Sequence, residues 1–480
     1  FNMGLKRLRR VNRFPHSGTV HFDHTAYYAL RASEDAGLRA RAFSISETWH
    51  RPSGDLSLLE KNLLQYDGTT PSRCTSGDYL AILKKTLDEV KPNTKLIPLT
   101  LGAARLHPDF PRSTSPGFPW VTKGYSSKGE VMDDTFAVDS IHRAWSQIGR
   151  GTSWSLPDSM AYHRVVASER SKTKVRPVWG YPIDVVLEEA RFFYPLIEFL
   201  KGKCDEDDCF YGLGMETARS GHSHLARGFT ASRAKLILCC DQSSFDAHVP
   251  NWIIRDVFTL MSDWFDFSKV RDSEGIIWNV QPERTARRWR AMVSYFINTK
   301  IRTPSGLRVQ KDHGVPSGSM FTNIIDTLVN GVESRLSIYR VTGSLPVKDY
   351  YYGDDGTIFL DVDGIDLDAL SKEFNDTFGA IMSTEKTILT DNIENIHWLG
   401  YFYRPDGPRR DLDFILASTI YPEREIESPL ESCARLLGQL YSVMDPKSSL
   451  IFYDAVRWIM EKHDISQEVL DSFVQTRPIK

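Results

Sequence analysis

The stretch VKDYYYGDDGTIFLDV, residues 347–362, limits the fold more than any other part of the chain. Two β-prone runs flank Gly353-Asp354-Asp355-Gly356. Asp-Gly between such runs marks a hairpin, because glycine takes a positive φ without a Cβ clash. On that ground alone Asp354 and Asp355 are turn residues. The tripeptide Gly-Asp-Asp arises by composition in roughly one chain in ten of this length. Paired carboxylates on a tight turn also make a platform for hard divalent cations, which prefer carboxylate oxygen and keep several waters. A phosphoryl-transfer site needs one more carboxylate from elsewhere, so the remaining sequence has to decide.

The run AKLILCCDQSSFD (234–246) is continuously apolar and ends in Asp241 and Asp246, five apart. It reads as a buried strand entering a site, although helix-capping acids at a strand-to-helix turn have the same appearance. A strand-end aspartate plus a hairpin Asp-Asp is what two Mg²⁺ ions about 3.5–4 Å apart require for in-line displacement at phosphorus. At 314–323 stands GVPSGSMFTN, a Gly- and Pro-bearing loop before a long helix at 319–339. Such a loop offers backbone N–H groups and a small hydroxyl to phosphate or ribose. An ordinary helix cap by Ser317 or Ser319 is the plainer alternative.

Further helices are expected over 78–90, 182–200 and 368–380, and 101–135 reads as loop from its Pro, Gly and Ser content. Strands and helices alternate around the hairpin, which gives the centre an α/β look. No repeats or low-complexity linkers appear, as fits one interwoven globule. The 480 residues are 41% hydrophobic and 25% charged, ordinary for a globular chain. No run reaches the roughly 18 apolar residues of a membrane span, and no signal-peptide pattern opens the chain. The six cysteines show no zinc-type CxxC pairing and read as reduced thiols. Net charge is −3, but basic clusters stand at 3–13, 164–176 and 283–290. On a near-neutral chain they point to a channel-like polyanion site. Acidic residues gather at 204–209 and 361–368.

In order, the chain carries STSPGFP (113–119), SERSKTKVRPVWGYP (168–182), DQSSFD (241–246), PSGSMFT (316–322), YGDD (352–355), TEKT (384–387) and WLGYFY (398–403). This resembles the ordered motif series of viral RNA-dependent RNA polymerases and covers some 60% of the chain. VRPVWGYP, GVPSGSMFTN and WLGY are most similar to the partitivirus and picobirnavirus group, the bisegmented double-stranded RNA viruses.

The resemblance implies an α+β fold, a closed right hand with fingers, palm and thumb. Residues 1–95 would bridge fingers and thumb, and 96–236 would be mostly fingers. Residues 237–400 would be mostly palm, with a fingers insertion at about 275–312, and 401–480 thumb. Asp241 and Asp354 would hold two Mg²⁺, with Asp355 in support and Mn²⁺ as a substitute. Lys386 would be the general acid for departing pyrophosphate. Lys172, Lys174 and Arg176 would line the NTP tunnel, and Asp246 would sense the ribose 2′-OH beside Ser317, Gly318 and Thr322. Ser115, Gly117 and Pro119 would guide template. Trp398 and Tyr401 would contact RNA, unless they are core aromatics.

One departure stands out. The family commonly places Asn four residues after the Thr; here Thr322 is followed by Asp326. Implied partners are RNA template and product, NTPs and the inner surface of a viral capsid protein. The implied location is virion interior or host cytoplasm, with no membrane. The competing activities are a positive-strand replicase, a reverse transcriptase and a two-metal phosphohydrolase. A non-catalytic RNA-binding or inner-capsid protein would have no need for intact Asp241, Asp354 and Asp355.

Overall fold

A computed structural model describes residues 4–16, 18–206 and 209–476. The chain mixes helices with antiparallel sheet. The central sheet has four strands in the order Lys348–Tyr352, Asp355–Leu360, Leu236–Gln242, Met382–Thr390. Every pairing in it is antiparallel. The α/β look of the sequence is therefore corrected to α+β. Its cause is the hairpin, whose two strands are neighbours in both chain and sheet, so no crossover helix is needed between them.

The strand Leu236–Gln242 lies between two others, which explains its unbroken apolar run: Ile237 and Leu238 are fully buried. One face of the sheet rests on the long helix Thr322–Thr342, in which every residue from Ile324 to Ile338 is buried. Around it pack Gly77–Asp88, Ile183–Glu206, Asn251–Ser262 and Leu367–Phe378, sharing one core with the sheet. The Arg335 guanidinium joins three of these pieces. It donates to Asp349 on the hairpin strand at 2.7 and 2.8 Å and to Glu89 beyond Gly77–Asp88 at 2.6 Å.

A second sheet has five strands, Leu5–Arg7, Arg308–Lys311, Lys300–Arg302, Ser159–Val166 and Lys174–Gly180. Its first strand comes from the start of the chain. Helices His24–Arg31 and Ala36–Thr48 share a core with Leu412–Ile420, Pro429–Ser442 and Pro446–Lys462. At that contact Arg435 reaches the buried Asp23 carboxylate. The opening segment thus touches both the second sheet and the C-terminal helices.

The expected helices exist, with shifted ends. The helix begun near Pro182 runs on to Glu206, and the one placed at 319–339 begins at Thr322. Residues 101–135 are not all loop. Short helices Leu101–Leu106 and Lys128–Asp133 form there, capped by the Thr100 and Ser127 hydroxyls. TEKT lies within the strand Met382–Thr390, in a break of register between Ser383 and Ile388.

Candidate active site

The hairpin closes at the pair Tyr352↔Asp355, leaving Gly353 and Asp354 as a two-residue loop. Gly353 has φ +61°, a conformation other residues adopt only with strain. The long helix holds this tip by its side chains. The Thr327 hydroxyl accepts the Gly353 N–H at 2.9 Å, and the Asn330 amide donates to the carbonyls of Gly353 and Asp355 at 3.1 and 3.2 Å. On the neighbouring strand, Ile358 pairs with Leu238, and continuing that register sets Asp355 across from Asp241. Asp241 in turn pairs with Ser383, and its N–H is accepted by Thr387 Oγ1 at 3.1 Å. Asp241, Asp354 and Asp355 thus meet at one end of the sheet.

Their proximity appears in their acidities. Burial pushes the Asp355 carboxyl up to about 7, with the charges of Asp354 and Asp241 adding and the Leu399 N–H opposing. Asp354 reaches solvent, yet surrounding protein raises it as well; Arg176 works against that rise and Asp241 with it. An all-oxygen carboxylate set in this environment suits Mg²⁺, which takes one or two carboxylates and completes its shell with phosphate and water. Among the described residues no group of three His, Cys, Asp or Glu side chains is arranged to hold a metal ion.

Asp246 lies one short turn beyond Asp241, in the helix Phe245–His248. Its carboxyl is buried against that of Asp326 on the long helix, whose Oδ1 is buried without a hydrogen-bond partner. Burial raises both, and the Asp246 charge drives Asp326 further, so Asp326 is the protonated partner. Arg176, on the strand Lys174–Gly180, acts electrostatically on Asp246 and Asp354 alike. Lys172 and Lys174 are exposed on the same hairpin, with Lys172 3.7 Å from Glu169. The PSGS loop is bound to that basic strand. The Ser317 hydroxyl accepts the Trp179 N–H at 3.1 Å, and a Cβ at Gly318 would overlap the Trp179 carbonyl oxygen. Thr322 Oγ1 donates back into the loop, to Pro316 and Ser319 carbonyls at 2.6 and 2.9 Å.

The sequence model of the family described as viral RNA-dependent RNA polymerase matches residues 84–449. The chain belongs to that family. An RNA-directed RNA polymerase of Atkinsonella hypoxylon virus (isolate 2H) is 26% identical over 393 residues, covering 71% of this chain and 56% of that protein. One of Cryptosporidium parvum virus 1 (strain KSU-1) is 26% identical over 366 residues, covering 69% of this chain and 63% of its own. The chain therefore spans less than two thirds of the length of either. A genome polyprotein of Human klassevirus 1 matches at 23% over 247 residues, 9% of its length.

The remaining candidates of this polymerase-family chain are spread around that centre. Lys386 is exposed in the irregular part of its strand, with its N–H 3.3 Å from Ser383 Oγ. Of the stretch 115–119, Pro116 and Gly117 dock just past the basic strand, where Ile183 N–H reaches the Pro116 carbonyl at 2.8 Å and a Cβ on Gly117 would strike Pro182, while Ser115 Oγ lies 3.4 Å from the Tyr162 hydroxyl. Trp398 is fully buried and donates to the Met215 carbonyl at 3.1 Å. Its place among RNA contacts is therefore corrected: it is a core aromatic. Tyr401 is half-buried and donates to the Ser442 carbonyl, tying its hairpin to Pro429–Ser442. The 283–290 cluster also differs from expectation. Arg287 donates to the Gly149 carbonyl at 2.9 Å and Arg288 pairs with buried Glu188 at 2.5 Å, so these two serve packing.

Three residues at this site were not singled out by sequence. Tyr66 is buried against Asp246 and Asp326 and donates to the Val315 carbonyl at 3.2 Å. Glu189 accepts from the Ser319 hydroxyl and from the Met320 N–H at 3.2 Å. Burial lifts its carboxyl to about 8. Leu399 has φ +49° and turns its N–H to Asp355. Only Glu189 left a trace, as a carboxylate inside an apolar helix pattern.

Proposed function

We propose that the chain catalyses RNA-templated synthesis of RNA from NTPs, replicating and transcribing a viral RNA genome. The observation that carries this reading is the meeting of Asp241, Asp354 and Asp355 at one sheet end, faced by Arg176. Two Mg²⁺ ions, or Mn²⁺ in their place, held by Asp241 and Asp354 with Asp355 in support, would activate the attacking 3′-oxygen and neutralise phosphate charge. Arg176, with Lys172 and Lys174, binds the triphosphate, where guanidinium suits bidentate contact. Asp246 accepts from the ribose 2′-OH while the protonated Asp326 carboxyl donates to Asp246, as the usual Asn amide would. Lys386 gives a proton to the departing pyrophosphate oxygen. Ser317, Gly318 and Thr322 shape the nucleotide floor, and Ser115, Gly117, Pro119 and Tyr401 guide RNA.

On this reading the fold is a closed right hand. The central sheet is palm, the five-stranded sheet belongs to the fingers, the C-terminal helices are thumb, and residues 1–95 join the last two. The joined contacts of Leu5–Arg7 and His24–Arg31 support it. The genome is double-stranded and the enzyme works against the inner face of a capsid; a positive-strand replicase is the alternative. Purified protein, a single-stranded RNA template, Mg²⁺ and labelled NTPs test the activity through template-length product. Nicking of RNA without extension would replace polymerase by nuclease, and incorporation of dNTPs on RNA would replace it by reverse transcriptase. Recovery from infected cells with membranes and never with particles would remove the capsid assignment.

A further inference from the structure

Two thiols that the polymerase reading does not use stand in contact. Cys204, near the end of the helix Ile183–Glu206, and Cys209 have their sulfurs 3.2 Å apart. Both are half-buried, so small solutes reach them. Both also face the Tyr211 carbonyl, at 3.5 and 3.9 Å. Cys209 opens onto a cavity of about 350 Å³ whose wall includes Lys203, Phe210, Arg335 and Lys348. Asp207 and Asp208, between the two cysteines, lie outside the described residues.

We propose that Cys204 and Cys209 form a dithiol site oxidised by hydroperoxides, Cys209 attacking and Cys204 resolving. The surroundings separate the two roles. Either thiol can donate in the contact between them, but Cys209 is the one that lines the cavity with Lys203 and Lys348, whose charges hold its thiol below its ordinary value against burial. The same contact and burial push Cys204 up. A thiolate is the nucleophile, so attack begins at Cys209.

In the first step the Cys209 sulfur bonds to one peroxide oxygen and the O–O bond breaks. Cys209 becomes a sulfenic acid, and the other oxygen leaves as hydroxide or alkoxide and takes a proton. In the second step Cys204 attacks the Cys209 sulfur, the S–S bond forms, and the S–OH oxygen leaves as water with the Cys204 proton. Two thiols are oxidised by two electrons and one hydroperoxide is reduced.

The site sits on the outer edge of the hairpin. Phe210 accepts the Tyr351 N–H at 2.8 Å, and Gly212 donates to the Tyr351 carbonyl at 2.7 Å. Cys74 is also half-buried but lies beside Ser76 and Arg340, without a second thiol, and provides an internal comparison.

The test treats the full chain with equimolar hydrogen peroxide and maps products by peptide mass. The expected product is a 204–209 disulfide, formed at least about tenfold faster than any oxidation of Cys74, in line with a greater thiolate fraction. Cys204→Ser should stop at a Cys209 sulfenic acid that dimedone traps, and Cys209→Ser should give neither product. Oxidation of Cys74 ahead of the pair, or dimedone capture at Cys204 in the Cys209→Ser chain equal to that at Cys209 in the Cys204→Ser chain, overturns the proposal. So does stoichiometric Zn²⁺ in the purified protein that blocks disulfide formation until it is chelated. The wild-type mapping needs no variant to fold.

Discussion

The carboxyls of Asp246 and Asp326 are buried together and act on each other, although the two residues lie on different helices 80 positions apart. Two ionised carboxylates do not remain in such contact, so one proton sits between them, on Asp326. A protonated carboxyl and a neutral amide are both donors of similar shape. Asp326→Asn is therefore expected to keep most nucleotide addition and the preference for ribonucleotides. Asp246→Ala should lose that preference, because the 2′-OH loses its acceptor. The ratio of kcat/KM for ATP over dATP measures both. Lost discrimination in Asp326→Asn with retained discrimination in Asp246→Ala would reverse the assignment.

The same proton makes stability depend on pH. An unfolded Asp releases its proton near about 3.9, whereas folded Asp326 holds it well above that. Between those values the folded chain binds the extra proton, so stability falls as pH rises. In Asp326→Asn this contribution is gone. Its Tm should decline less steeply than that of the wild type from about pH 5 to about pH 8. Parallel curves would mean that Asp326 is ionised in the fold.

Asp241→Asn and Asp354→Asn should each lower nucleotide addition on the order of 10³-fold or more, since metal stabilisation of phosphoryl charge is worth several kcal/mol. Affinity for single-stranded RNA, which leans on Lys and Arg contacts to phosphate, should stay near wild type. Extension by Asp354→Asn within about tenfold of wild type would contradict its place among the metal ligands.

Lys386→Leu should slow single-turnover incorporation on the order of 10²-fold, the usual scale for one general acid, with little change in NTP affinity. An unaltered rate would make Lys386 an exposed lysine and nothing more.

Trp398→Ala should cost about 3–5 kcal/mol of stability, the range for emptying a buried aromatic site. Trp398→Phe should fold and bind RNA as the wild type does, because the indole faces Met215 and not solvent. Weakened RNA binding by a stable Trp398→Phe chain would restore the contact.

How far the sequence was legible depends on the kind of signal. The hairpin at Gly353 and the strand ending at Asp241 follow from turn chemistry and apolar runs, which are local. The pairing of Asp326 with Asp246 was approachable because helical spacing puts Thr322, Asp326 and Asn330 on one face. The same spacing says nothing of Asn330 gripping the hairpin tip, which depends on the distance between helix and sheet. Tyr66 leaves no trace because its burial beside Asp246 joins segments 180 positions apart. Trp398 was ambiguous for a plain reason: an aromatic before a turn has the same local pattern whether it faces RNA or Met215. Arg176 and Arg288 both came from basic clusters, yet one acts on the carboxylates of the site and the other neutralises buried Glu188.

The Gly318 backbone lies against the Trp179 carbonyl with no room for a methyl group, and Ser317 takes the Trp179 N–H. Two motifs that are separate words in the sequence are thus one interlocking part. In evolutionary language, neither can drift alone: a side chain admitted at 318 demands a rerouted strand at 174–180, and that strand carries the cation that faces the carboxylates. Lineages descending from such a chain should change these two segments together or not at all, so divergence between relatives would accumulate in the surrounding loops and leave this joint as its slowest clock.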